Sequence, residues 1–85
     1  MEWKMKVKLA TLLNNGESDK ACELVLNNDM DLQAWDMFLT GVDLRDSEHY
    51  KPLLPKLKEN RNKIIGELKM VEALRLGLLI HKLEE

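Results

Sequence analysis

From Pro55 onward the chain contains no further proline, and apolar residues recur at helical spacing as far as Leu83. One continuous helix over that span would be on the order of 43 Å long. A compact chain of this size is about 30 Å across, with a radius of gyration near 12 Å. Such a helix must overhang its own domain or bend, and the part that would overhang is the most apolar in the chain. That single constraint shapes every other expectation.

Eighty-five residues make one domain with little stability to spare, because small chains bury a smaller share of their surface. Leu is abundant while β-branched and aromatic residues are few, which favours helix over sheet. The expected fold class is therefore all-α: three short N-terminal helices packed on one long C-terminal helix, in an oligomer. The formal net charge of -2 creates no field that would gather nucleic acid or anionic lipid. Charge is nonetheless segregated. Lys4, Lys6 and Lys8 make a basic start, the stretch from Glu17 to Asp36 holds six acids against Lys20, and Lys51 to Lys63 holds five Lys/Arg against Glu59.

A single cysteine excludes an internal disulfide and suits a reducing compartment. No signal-peptide pattern opens the chain, and the longest apolar run, Leu76 to Ile80, is too short to span a bilayer. The expectation is a cytoplasmic protein with no membrane insertion.

Residues 1–9 alternate apolar and polar side chains, as a half-buried strand would. Met5, Leu9, Leu12 and Leu13 also share one helical face, and no second strand candidate exists to pair with. The expectation is helix 1 over 3–14, stopped at Asn15-Gly16 with Gly16 in the left-handed position that ends a helix. Ser18 is expected to cap helix 2 over 18–28, and Asp31 to cap helix 3 over 31–42, where Leu32, Trp35, Phe38, Leu39 and Val42 keep helical spacing. Residues 43–54 form a connector with a possible helical turn after Ser47, since Pro52 and Pro55 deny a continuous helix. The long helix then occupies 55–84.

Gly16, the segment Ala21-Cys22-Glu23-Leu24-Val25 and the pair Ala34-Trp35 together resemble the middle of a tetratricopeptide repeat. The resemblance covers about Gly16 to Trp35 and implies a helical hairpin whose helices approach closely at Ala21. With no second copy in the chain, it implies no peptide-binding groove, since such grooves need stacked repeats.

Projected at helical spacing, the last helix carries two apolar surfaces. Leu53, Leu57, Ile64, Leu68, Val71 and Leu78 run its whole length, with Arg61 and Arg75 among them, and are expected to form the seam against the N-terminal helices. Ala73, Leu76, Ile80 and Leu83 lie roughly 120° away, only near the end. They are expected, with Trp3, to form a partner or self-association interface, a dimer above all, because three short helices can hardly cover so long a helix. A bend at Gly66 would instead let the chain hide this stripe by itself.

No catalytic, cofactor or metal pattern emerges. Cys22 has no activating neighbour in sequence, His49 and His81 lack partners at ligand spacing, and Asp43, Asp46 and Glu48 lack the pattern of a calcium loop. The expectation is a non-enzymatic protein–protein interaction module, with no cofactor, acting as a regulator, adaptor or inhibitor. Small proteins of this style are common among phage and mobile-element products that modulate a host or viral protein. The alternative is a nucleic-acid-binding regulator using Lys56, Lys58, Arg61 and Lys63 on a basic face from Lys51 to Lys69, with Tyr50 as the nearby stacking aromatic. Glu59–Lys63 and Lys63–Glu67 spacings predict that much of that charge is paired along the helix.

Overall fold

A computed structural model describes residues 2–85, apart from the side chain of Glu2; Met1, the first member of the alternating N-terminal pattern, lies outside them. The described residues are helical with no strand. Helices α1 (Glu2–Asn14), α2 (Ser18–Leu26) and α3 (Leu32–Thr40) are followed by the single turn α4 (Ser47–Tyr50) and a 3₁₀ turn at Lys51–Leu53. Helices α5 (Leu54–Gly66) and α6 (Met70–Glu84) complete the chain. The alternation at the start of the chain thus belongs to a helix, and α2 and α3 each end two residues before their expected limits. Ser18 is the first residue of α2 rather than its cap, whereas Asp31 caps α3 by accepting a hydrogen bond from the Ala34 amide at 2.8 Å.

The long helix does not exist as one piece. After Gly66 the chain turns through Glu67, Leu68 and Lys69 and returns as α6, antiparallel to α5, so that Lys58 near the start of α5 meets Glu84 at the end of α6 at 2.8 Å. The physical cause is a Schellman motif: the Lys69 amide donates to the Ile64 carbonyl at 3.2 Å and the Leu68 amide to that of Ile65 at 3.0 Å. Leu68 takes the left-handed conformation this motif needs, with φ of 63°. Gly66, two residues earlier, is simply the last residue of α5. Folding the helix back removes the length conflict, and the molecule measures 31 × 29 × 20 Å.

Helix α6 is the centre of the bundle, packed by α2, α3, α4 and α5. Helix α1 lies across α2, α3 and α4. The core joins Leu9 and Leu13 of α1, Val25 of α2, Trp35 and Leu39 of α3, and Leu57 of α5 to Leu76, Leu79, Ile80 and Leu83 of α6. Each such aliphatic side chain stabilises the fold by about 1.5–3 kcal/mol when fully buried.

Two polar clusters fix how the helices sit. Arg75 is buried, and its Nη1 donates to the carbonyls of Val25 and Asn28 at 3.0 and 2.9 Å, with Leu26 farther at 3.4 Å. A cation here complements the carbonyl end of the α2 dipole. The Trp35 indole N–H in turn donates to the Arg75 carbonyl at 2.9 Å, so one residue of α6 holds both α2 and α3. In the second cluster the buried Tyr50 hydroxyl donates to Asn14 Oδ1 at 2.5 Å and accepts from the Arg45 amide at 2.7 Å. The connector is thereby fastened to the end of α1.

Candidate interaction face

The expected interface residues Ala73, Leu76, Ile80 and Leu83 lie in the protein's own core, none more than 4% exposed. That corrects their assignment: the turn at Leu68 rotates α6 so that this stripe faces α2 to α5, and no surplus of it remains for a partner. The stripe expected to be core is correspondingly divided. Leu57 and Ile64 are buried, Leu53 and Leu78 partly so, while Leu68 is 84% and Val71 47% exposed.

The exposed members are neighboured along the chain by further exposed apolar residues that no sequence stripe had singled out. Met70 and Leu74 are each about half exposed, and Ile65, at the end of α5, is also exposed. Together these five side chains present on the order of 500 Å² of apolar surface, at the upper end of what a soluble monomer displays without using it. Beside Leu74 the face sinks into a groove of about 460 Å³ lined by Leu74, Gly77 and Leu78 of α6 and by Leu32, Gln33 and Asp36 of α3. Leu68, the most exposed of the five, is also the residue held in a backbone conformation costly for a non-glycine residue, and such strain clusters at functional sites.

The two flanks of this face differ in charge. Helix α3 borders it with exposed Asp36. On the other side α5 lays Arg61 along α6: a Cβ placed on Gly77 would meet Arg61 Cδ at 3.8 Å. Among the described residues neither Asp36 nor Arg61 belongs to an ion pair; those that form are Lys20–Glu17, Lys51–Glu48 and Lys58–Glu84, with the His81 ring 3.7 Å from Glu85. The expected Glu59–Lys63 and Lys63–Glu67 pairs are not among them.

Trp3 is 72% exposed on α1. Near it a shallow depression is lined by Val7, Ala10 and Gly41, separate in lining from the α3–α6 groove. The alternative nucleic-acid residues scatter in their roles. Lys56 and Lys63 are exposed, Lys58 is engaged with Glu84, and Arg61 lies along α6. Tyr50, the nearby aromatic, is fully buried and hydrogen-bonded and is not available to stack on bases. A cleft of about 630 Å³ lies between α1 and α2, with Lys4, Lys8 and Lys20 at its edge, and Lys20 there pairs with Glu17 at 3.2 Å.

Cys22 is buried, and Asn60 of α5 donates to its sulfur at 3.3 Å. Burial pushes its thiol above the ordinary cysteine value, outweighing the opposing hydrogen bond from Asn60. That is the setting of a packed thiol rather than an activated nucleophile. Among the described residues no group of three His, Cys, Asp or Glu side chains is placed to hold a metal, and no helix is long and apolar enough to cross a membrane. No protein-family model, curated protein sequence or solved structure matches the chain.

Proposed function

We propose that the protein is a non-enzymatic protein–protein interaction module, a regulator, adaptor or inhibitor, whose contact surface is the outward side of α6 together with the Leu68 elbow. The observation that carries this reading is the 84% exposure of Leu68 at a strained turn, continuous along the chain with half-exposed Met70, Val71 and Leu74. A fold that needed only to close the α5–α6 hairpin would gain from glycine at position 68, as it has glycine at position 16 of the α1–α2 hairpin. Keeping a large apolar side chain there favours a use outside the core. The adjoining groove has a leucine-rich floor and polar edges, the general make-up of surfaces that receive an amphipathic helix.

Affinity capture from the native host, comparing the natural chain with Leu68→Asp and Leu74→Asp, tests the reading. Both variants should keep their helical circular dichroism and lose the captured protein. Capture unaffected by either substitution would refute the assignment of this face.

A further inference from the structure

We propose that the outward face of α6 is occupied by a second copy of the chain, with the two α6 helices side by side and parallel about a two-fold axis. This rests on reading that face as a contact surface, and it names the occupant and its orientation. Val71, Leu74 and Leu78 follow one another at spacings of three and four along the face, which is the seam a second helix of like pattern fits. An isologous pair must be complementary to itself, and here the flanking charges decide how.

Asp36 of α3 borders one side of α6 and Arg61 of α5 the other. When two such faces meet with their α6 helices parallel, the axis runs along the helices and each α3 lies over the partner's α5. Asp36 of each copy then approaches the partner's Arg61, twice over. With α6 antiparallel, α3 would lie on α3, setting Asp36 against Asp36 and Arg61 against Arg61, a like-charge arrangement that is disfavoured. Gly77, which has no side chain, keeps the Arg61 side of the face low enough for a second helix to approach.

The available area sets the strength. Burying the whole of this apolar surface, roughly 500 Å² in each copy, would give at most about 1,000 Å² in total, the lower limit for a specific interface. The dimer is therefore a weak one that dissociates on dilution. A heterologous partner that uses the same face would compete with it.

Sedimentation equilibrium over a wide concentration range should report a monomer–dimer equilibrium that Leu74→Asp shifts to monomer. Asp36→Arg and Arg61→Asp should each weaken the dimer several-fold, and the double variant should recover it. In a Cys22→Ala background, both Leu74→Cys and Leu78→Cys should form like-to-like disulfides, which only a parallel pair allows at both positions. A monomer at every concentration, a dimer indifferent to Leu74→Asp, or one strengthened by Asp36→Arg alone would overturn the proposal. A monomer that still loses a captured protein through Leu74→Asp would overturn the dimer and leave the interaction face standing.

Discussion

Leu68 occupies in the α5–α6 turn the same position that Gly16 occupies in the α1–α2 turn. Both have positive φ, 63° and 76°, and both donate their amide to the carbonyl three residues earlier, Ile65 and Leu13 respectively. The following residue closes the motif in each case, Lys69 to Ile64 and Glu17 to Leu12. One fold thus contains the same helix ending twice, once with the residue suited to it and once with a residue that is not.

Leu68→Gly should therefore stabilise the isolated protein by about 0.5–1 kcal/mol, the left-handed penalty less the extra freedom glycine gains in the unfolded chain. Gly66→Ala should also stabilise by up to about 1 kcal/mol, because a Cβ there meets nothing within 4 Å. Gly16→Ala should destabilise, its positive φ being unsuited to a side chain. Urea midpoints of the three variants give the comparison. Loss of stability in Leu68→Gly would mean that the leucine supports the fold itself.

Much of this was legible from residue order. Gly16 as a helix stop, Asp31 as a cap, the Leu32 to Val42 spacing and the proline-marked connector all rest on short-range chemistry, and the structure places them within two residues. The division of the last helix was not. A Schellman turn with leucine at its left-handed position has no marker in sequence, and Gly66, the one visible candidate for a bend, lies two residues before the residue that makes it. Missing that rotation exchanged the two stripes of α6, so the residues expected at an interface, Ala73, Leu76, Ile80 and Leu83, are the core. The spacing did separate two apolar faces correctly; only packing could say which looks inward. Arg75 carried the clearest unused signal, one of two cations inside an apolar stripe and the one that is buried, answered by carbonyls rather than by a carboxylate.

Arg75→Ala should cost about 2–4 kcal/mol, because it strips hydrogen bonds from the buried end of α2 and leaves a gap where the guanidinium was. Trp35→Phe removes only the indole donor and some volume, and should cost less, about 1–2 kcal/mol. Equal effects in urea denaturation would contradict the arrangement in which Arg75 holds α2 and α3 together.

Cys22 should react with a thiol reagent at neutral pH far more slowly than an exposed thiol, since burial both hides the sulfur and keeps its proton on. Because its folded pKa lies above the ordinary value, its stabilising effect is intact below the ordinary thiol range and declines as pH rises through and beyond it. Reaction with a chromogenic disulfide in increasing urea should accelerate with unfolding. Rapid reaction of the native protein would show that the α2–α5 contact around Asn60 opens readily.

Acid should remove the Lys58–Glu84 link between α5 and α6. The hydrogen bond from Lys58 holds the Glu84 carboxyl below its ordinary value. Its contribution is therefore complete above the ordinary glutamate range and is lost as pH falls through the lowered folded value. Both side chains are well exposed, so the effect is modest and weakens with salt. Glu84→Gln should flatten the decline of the urea midpoint in that acidic window, and an unchanged slope would deny the pair a role.

The division of α6 into an inward and an outward face is tested most directly by the unfolding free energies of two neighbouring aspartates, Leu76→Asp and Leu74→Asp, in urea. Leu76 is fully buried and Leu74 half exposed. A carboxylate at position 76 should cost more than about 4 kcal/mol and leave the chain largely unfolded, while one at position 74 should change stability by about 1 kcal/mol or less. Comparable stability of the two variants, or an unfolded Leu74→Asp beside a folded Leu76→Asp, would contradict the account.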